Sequence, residues 1–107
     1  MKYNVVALRR ADGDVRHIAR WIADRSPQGA IAWLDTYEQL LRQLAEQAIS
    51  CPAALEDADC HIPLKQVLFR TKRGRSYRAI FTIVSGEVRI LRIRGPGQPP
   101  LSEDEVW

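Results

Sequence analysis

KQVLFRTKRGRSYRAIFTIVSGEVRILRIR, residues Lys65–Arg94, is the stretch whose reading decides the fold. Hydrophobic and basic residues alternate through Val67–Lys72, Arg73-Gly74-Arg75 supplies a turn, and strand-forming residues resume from Ser76 to Val84. The period is that of a strand, in which successive side chains point to opposite faces. Ser85-Gly86 makes a tight hairpin turn, Glu87–Arg94 forms the last strand, and Gly95-Pro96-Gly97 ends it. Three strands joined by short turns must run antiparallel.

Nine of the sixteen Lys and Arg residues lie in this stretch, against one acid, Glu87, so the segment carries a net +8. The basic charge is built into a sheet. The first 64 residues hold seven basic and nine acidic side chains, a net of −2. This asymmetry points to an anionic partner, either nucleic acid or an acidic protein segment. The chain's 107 residues, 46% hydrophobic, suit one domain with a single core. No apolar run approaches the roughly 20 residues that cross a bilayer, and Arg9-Arg10 interrupts the short apolar N-terminus, so no membrane or secretory segment is expected. The expected setting is cytoplasmic, with Cys51 and Cys60 as thiols. Those cysteines and His61 lack the paired spacings of a zinc site, so neither a metal nor a cofactor is expected. His17 and His61 receive no catalytic role.

Upstream, residues 2–8 read as a first strand closed off by Arg9–Gly13. Asp12 or Asp14 is the expected cap of a helix whose apolar positions Val15, Ile18, Ala19 and Ile22 recur at i, i+3, i+4 and i+7, with Trp21 widening the stripe. Ser26-Pro27 stops that helix and starts another, because proline disfavours helix in the residue before it and suits the first turn after a serine cap. The second stripe, Ala30, Trp33/Leu34, Tyr37, Leu40/Leu41, Leu44 and Ala48, ends at Cys51-Pro52. Residues 52–64 form an acidic loop that is either solvated or neutralises the basic sheet. The order is β-α-α-β-β-β, an α+β fold in which an antiparallel helical hairpin packs on one face of a mostly antiparallel four-stranded sheet. One domain spans residues 1–98, and the Pro-rich, acidic tail 99–107 is expected to be mobile unless Trp107 docks.

A helix layer covers one face of such a sheet, which leaves the other face or its rim to display guanidinium groups. Alternation puts Tyr77, Ala79, Phe81 and Ile83 on one side and Arg78, Ile80, Thr82 and Val84 on the other. Arg78 opens a largely apolar row and should be partly buried and fixed, either clamping a phosphate or carboxylate or pairing with an acid such as Glu38 or Glu46. Arg70 and Lys72 share a direction, as do Arg92 and Arg94; if their strands are neighbours they form a positive band at one end of the sheet. Arg73 and Arg75 sit at a turn, where basic residues also serve solubility.

The element order, the Asp14-to-Ile22 helix, Ser26-Pro27-Gln28-Gly29-Ala30, and above all Leu68-Phe69-Arg70-Thr71, Tyr77-Arg78-Ala79-Ile80-Phe81 and Val88-Arg89-Ile90-Leu91-Arg92-Ile93 resemble the RelE/ParE toxin superfamily, up to about Gln98. The resemblance implies the toxin of a type II toxin–antitoxin pair, of the kind that maintains plasmids or arrests bacterial growth. It also implies a hetero-oligomer with a cognate antitoxin bearing an acidic amphipathic segment. RelE-like members cleave messenger RNA in the ribosome; ParE-like members poison DNA gyrase.

In the nuclease branch the arginine after the strand-opening tyrosine corresponds to Arg78. The strand lysines expected there would fall near Gln66 and Leu68, the late arginine near Gly97 or Gln98, and the C-terminal tyrosine has no counterpart in Leu101–Trp107. RNA cleavage needs a base, charge stabilisation on the phosphorane and an acid; arginines supply the second alone. The residues therefore favour a ParE-like gyrase inhibitor that contacts its target or antitoxin through Arg70, Lys72, Arg73, Arg75, Arg78, Arg92 and Arg94. The alternatives are a ribosome-dependent mRNA endoribonuclease, with Arg78 as catalytic clamp assisted by Arg70, Lys72, Arg92 and Arg94, and a non-toxic family member that binds RNA or protein.

Overall fold

The structure, a computed structural model, describes residues 2–107. Strand β1 is Asn4–Ala7, helix α1 Arg9–Ala23, helix α2 Pro27–Gln47, strand β2 Lys65–Phe69, strand β3 Tyr77–Val84, strand β4 Glu87–Arg94 and helix α3 Glu103–Val106. The sheet order is β1-β4-β3-β2, with β1 parallel to β4 and the other pairs antiparallel. The expected α+β architecture is present. Among the described residues no helix is long and apolar enough to cross a membrane.

Local chemistry accounts for most element ends. Ser26 Oγ accepts the Gly29 N–H at 3.0 Å, and Pro27 occupies the first turn of α2, where its missing N–H costs nothing. Ser85 and Gly86 both take positive φ, 51° and 78°, as a two-residue hairpin loop requires to match strand twist. Helix α1 differs from expectation. It starts at Arg9, so Arg9–Gly13 are helical and neither Asp12 nor Asp14 is the cap. The reason is burial: Ala11 is fully enclosed and extends the stripe back by a turn, and Asp14 is bonded to β4 instead.

The apolar face of the α1–α2 hairpin packs on one side of the sheet. Trp33, Tyr37, Leu40 and Leu44 of α2 meet Phe69, Ala79, Phe81, Val88, Ile90 and Ile93. Each large side chain buried here contributes about 1.5–3 kcal/mol relative to exposure. Trp33 stacks on Tyr37 at 6.0 Å and meets the Tyr77 ring edge-on at 5.3 Å. Trp21 does not widen the stripe: it is 52% exposed, with the Arg25 guanidinium 3.7 Å above its ring.

The second face is covered as well. Ala54 and Leu64 from the 52–64 loop, Ile80 and Leu91 from the sheet, and Leu101 and Val106 from the tail form a second apolar cluster. Strand β4 is irregular between Ile90 and Arg92: Phe81 pairs with Ile90 and Ile80 with Arg92, leaving Leu91 as an extra residue. The bulge returns Ile93 to the helix side, where Ile90 already lies, whereas simple alternation along β4 would place it beside Leu91 on the tail side. The tail is docked by Leu101 and Val106, whereas Trp107 stays half exposed. Ser102 and Glu105 form a capping box that folds the tail's last turn.

Candidate interaction surface

The second covering layer decides which arginines are available. Arg78 faces this layer, away from α2, so neither Glu38 nor Glu46 pairs with it. Its partner is Glu56 of the 52–64 loop, at 2.6 Å from Nη1 and 2.8 Å from Nη2. Nη1 also donates to Gln66 Oε1 at 3.1 Å, and Glu56 Oε2 accepts the Leu101 N–H at 2.8 Å. The pair is enclosed, with side-chain exposures of 10% for Arg78 and 0% for Glu56. Burial pushes the Glu56 carboxyl up, but the Arg78 hydrogen bonds, the Leu101 N–H and the Arg78 charge outweigh it and hold it below the usual carboxylate range. One carboxylate thus ties loop, β3 and tail together.

Most other basic residues of the sheet are also engaged internally. Arg92 forms a bidentate pair with Asp14, at 2.7 and 3.0 Å, and donates to the Glu105 carbonyl; Asp14 also accepts the Ile93 N–H. Arg94 donates to the Pro99 carbonyl at 2.6 Å, and Arg10 reaches the carbonyls of Asp104 and Glu105. Arg89 pairs with Glu87, and Lys65 donates to the carbonyls of Ile49 and Cys51. The tail is therefore a cover of Arg92 and Arg94, held through its backbone carbonyls.

Arg70, Lys72, Arg73 and Arg75 are different. They occupy the loop between β2 and β3, all four are exposed, and none has a side-chain hydrogen bond or ion pair among the described residues. The strand ends carrying this loop and Arg94 do lie at one end of the sheet, since Phe69 pairs with Tyr77 and Arg78 with Arg94. They are not neighbours, because β3 separates β2 from β4. The loop has a defined turn: the Gly74 N–H donates to the Thr71 carbonyl at 3.1 Å. A Cβ at Gly74 would lie 2.2 Å from Thr71 Oγ1, so any larger residue there must displace the Thr71 side chain.

Two adjoining clefts flank this loop. His17, Ile18, Trp21, Arg75, Tyr77 and Gln98 line much of the first, about 290 Å³ in volume. The second, about 280 Å³, has Trp21, Ile22, Trp33, Thr71, Arg73 and Arg75 among its walls. Trp21, Arg75 and Tyr77 are shared, and no carboxylate lines either one. Burial, the larger effect, pushes the Tyr77 hydroxyl up, against the lowering by Arg75.

Of the seven sequence candidates, the structure gathers Arg70, Lys72, Arg73 and Arg75 on one loop, and engages Arg78, Arg92 and Arg94 internally. Sequence reasoning missed Glu56 and Trp21. The signal for Trp21 was its place one residue off the apolar stripe with Arg25 four residues on; Glu56 had no periodic signal.

No curated protein and no solved structure is similar enough to match. The model of one family, described as the ParE toxin of the type II toxin–antitoxin system parDE, matches residues 5–98, which take in the helical hairpin, all of the sheet but Asn4, and the basic loop. The chain therefore belongs to the ParE toxin family and is the toxin of a type II toxin–antitoxin system.

Proposed function

We propose that this toxin arrests bacterial growth in the cytoplasm by contact with a protein target, DNA gyrase, rather than by cutting RNA. Family membership implies a cognate antitoxin as partner, and the reading extends to a hetero-oligomer in which an acidic amphipathic antitoxin segment neutralises the toxin. The supporting observation is the Arg78–Glu56 pair. A phosphate clamp needs a guanidinium with free donors, whereas Nη1 and Nη2 of Arg78 are both committed to an enclosed carboxylate. No His lies among the side chains bonded to this pair.

One observation favours the ribonuclease reading: His17, Arg75 and Tyr77 line the same cleft, and these residue types could serve as base, phosphate ligand and acid. Induced expression in a bacterium separates the two. The gyrase reading predicts a DNA-damage response and filamentation with intact transcripts. Cut transcripts at ribosomes, abolished by His17→Ala, would replace it with the nuclease reading.

A further inference from the structure

The paired clefts around Trp21 have a composition that the folding of the chain does not explain. Trp21 is a large aromatic on the outer side of α1, more exposed than buried. Arg25 covers its ring and donates to its carbonyl at 2.8 Å, which fixes the indole as the wall between the two clefts. The floor below is rigid, because Tyr77 and Trp33 belong to the aromatic cluster of the helix-side core. Trp33, buried at the back of the second cleft, has an indole N–H without a partner among the described residues. Ile18, Ile22 and Pro96 add apolar surface.

Above this floor stand Arg73 and Arg75, unpartnered, with Arg70 and Lys72 on the same loop. An apolar, aromatic recess rimmed by free guanidinium groups is complementary to a side-chain anchor flanked by carboxylates. Each cleft lies at or just below the low end of the size range of small-molecule pockets, about 300 Å³. That suits one or two side chains. A nucleic acid strand would instead require a continuous basic track along its backbone, and the sheet arginines that could extend such a track are engaged internally.

We propose that the clefts beside Trp21 and the loop 70–76 form the docking site for an acidic segment of the target protein. Its apolar or aromatic side chain enters beside Trp21 and Tyr77, and its carboxylates meet Arg73 and Arg75. Buried aromatic and arginine anchors of this kind carry most of the affinity in protein interfaces. The inference rests on the protein-target reading of the preceding subsection and assigns that contact to particular residues.

The test measures binding of purified bacterial DNA gyrase to the full-length toxin, its Trp21→Ala variant, its Arg73→Ala/Arg75→Ala variant and an Arg42→Ala control on the exposed side of α2. The expected result is a loss of about thirtyfold in affinity for each of the first two variants and none for the control. Unfolding temperatures of all four should agree, since the altered side chains are exposed. Gyrase that binds wild type and Trp21→Ala equally overturns the inference and leaves the protein-target reading standing. Gyrase that does not bind wild type overturns both. Two parallel arms, with an RNA oligonucleotide and with the cognate antitoxin, identify other occupants. If Trp21→Ala weakens one of those and spares gyrase, the site is not the target's.

Discussion

Arg78 and Arg73 stand five residues apart, both in the basic stretch, and the molecule treats them in opposite ways. On the tail side of the sheet, Arg78, Arg92 and Arg94 are met by Glu56, Asp14 and carbonyls of the segment 99–105, and Arg78 is buried with its partner. On the loop 70–76, four cations face solvent beside an aromatic recess. High local charge is therefore two things in this chain. One part is consumed in holding the tail and the acidic loop to the sheet; the other is left free, and free charge is what a partner can use.

The sharpest way to break this division is to cut the enclosed pair. Arg78→Ala leaves Glu56 buried and unpaired, and should cost about 3–5 kcal/mol in urea unfolding at neutral pH. The paired replacement Arg78→Met/Glu56→Leu removes both charges and should recover most of that loss. Acid acts on the same pair. Because the folded-state pKa of Glu56 lies below its unfolded value, its contribution is complete above the unfolded carboxyl range and is lost as pH falls through the folded value. Wild type should therefore lose more stability than the paired variant between pH 7 and about pH 3.

Arg92 tests the partly exposed part of the tail side. Its bidentate bond to Asp14 and its bond to the Glu105 carbonyl should make Arg92→Ala cost about 1.5–3 kcal/mol. Faster amide exchange should then appear at Val106, whose N–H donates to the Ser102 carbonyl. Unchanged exchange there would show that Arg92 does not hold the tail.

On the loop side the expected stability effects are smaller. Gly74→Ala places a methyl against Thr71 Oγ1 and should cost about 1 kcal/mol while weakening target binding. Adding Thr71→Ala should restore both. Arg73→Ala/Arg75→Ala should change stability by less than about 0.5 kcal/mol, as surface substitutions do. A large loss of stability in that variant would erase the distinction between the two regions.

The three strands of the basic stretch were legible because alternation, a glycine turn and Ser85-Gly86 are local signals. The same holds for α2, marked by Ser26-Pro27 and a long apolar stripe. The start of α1 was misplaced because Gly13 and the two aspartates read as a turn, while the burial of Ala11, which decides the matter, is a tertiary fact. The extra residue at Leu91 was invisible for a similar reason: strict alternation is the default, and only the packing of Ile90 and Ile93, three residues apart, in one core reveals the bulge. Arg78 was rightly expected to be fixed, yet its partner lies 22 residues away in an irregular loop, where no period relates the two. The clefts depend on residues from α1, the 70–76 loop and the chain after β4, so no single segment could announce them.

The role proposed for the charge of Arg78 is to hold the fold without touching the target. Growth inhibition by the Arg78→Met/Glu56→Leu chain, with its folding verified by thermal unfolding, tests this most directly. Arrest as deep as that caused by wild type is the expected result. A double variant that folds normally and is harmless would contradict it, and would return Arg78 to the working surface of the toxin.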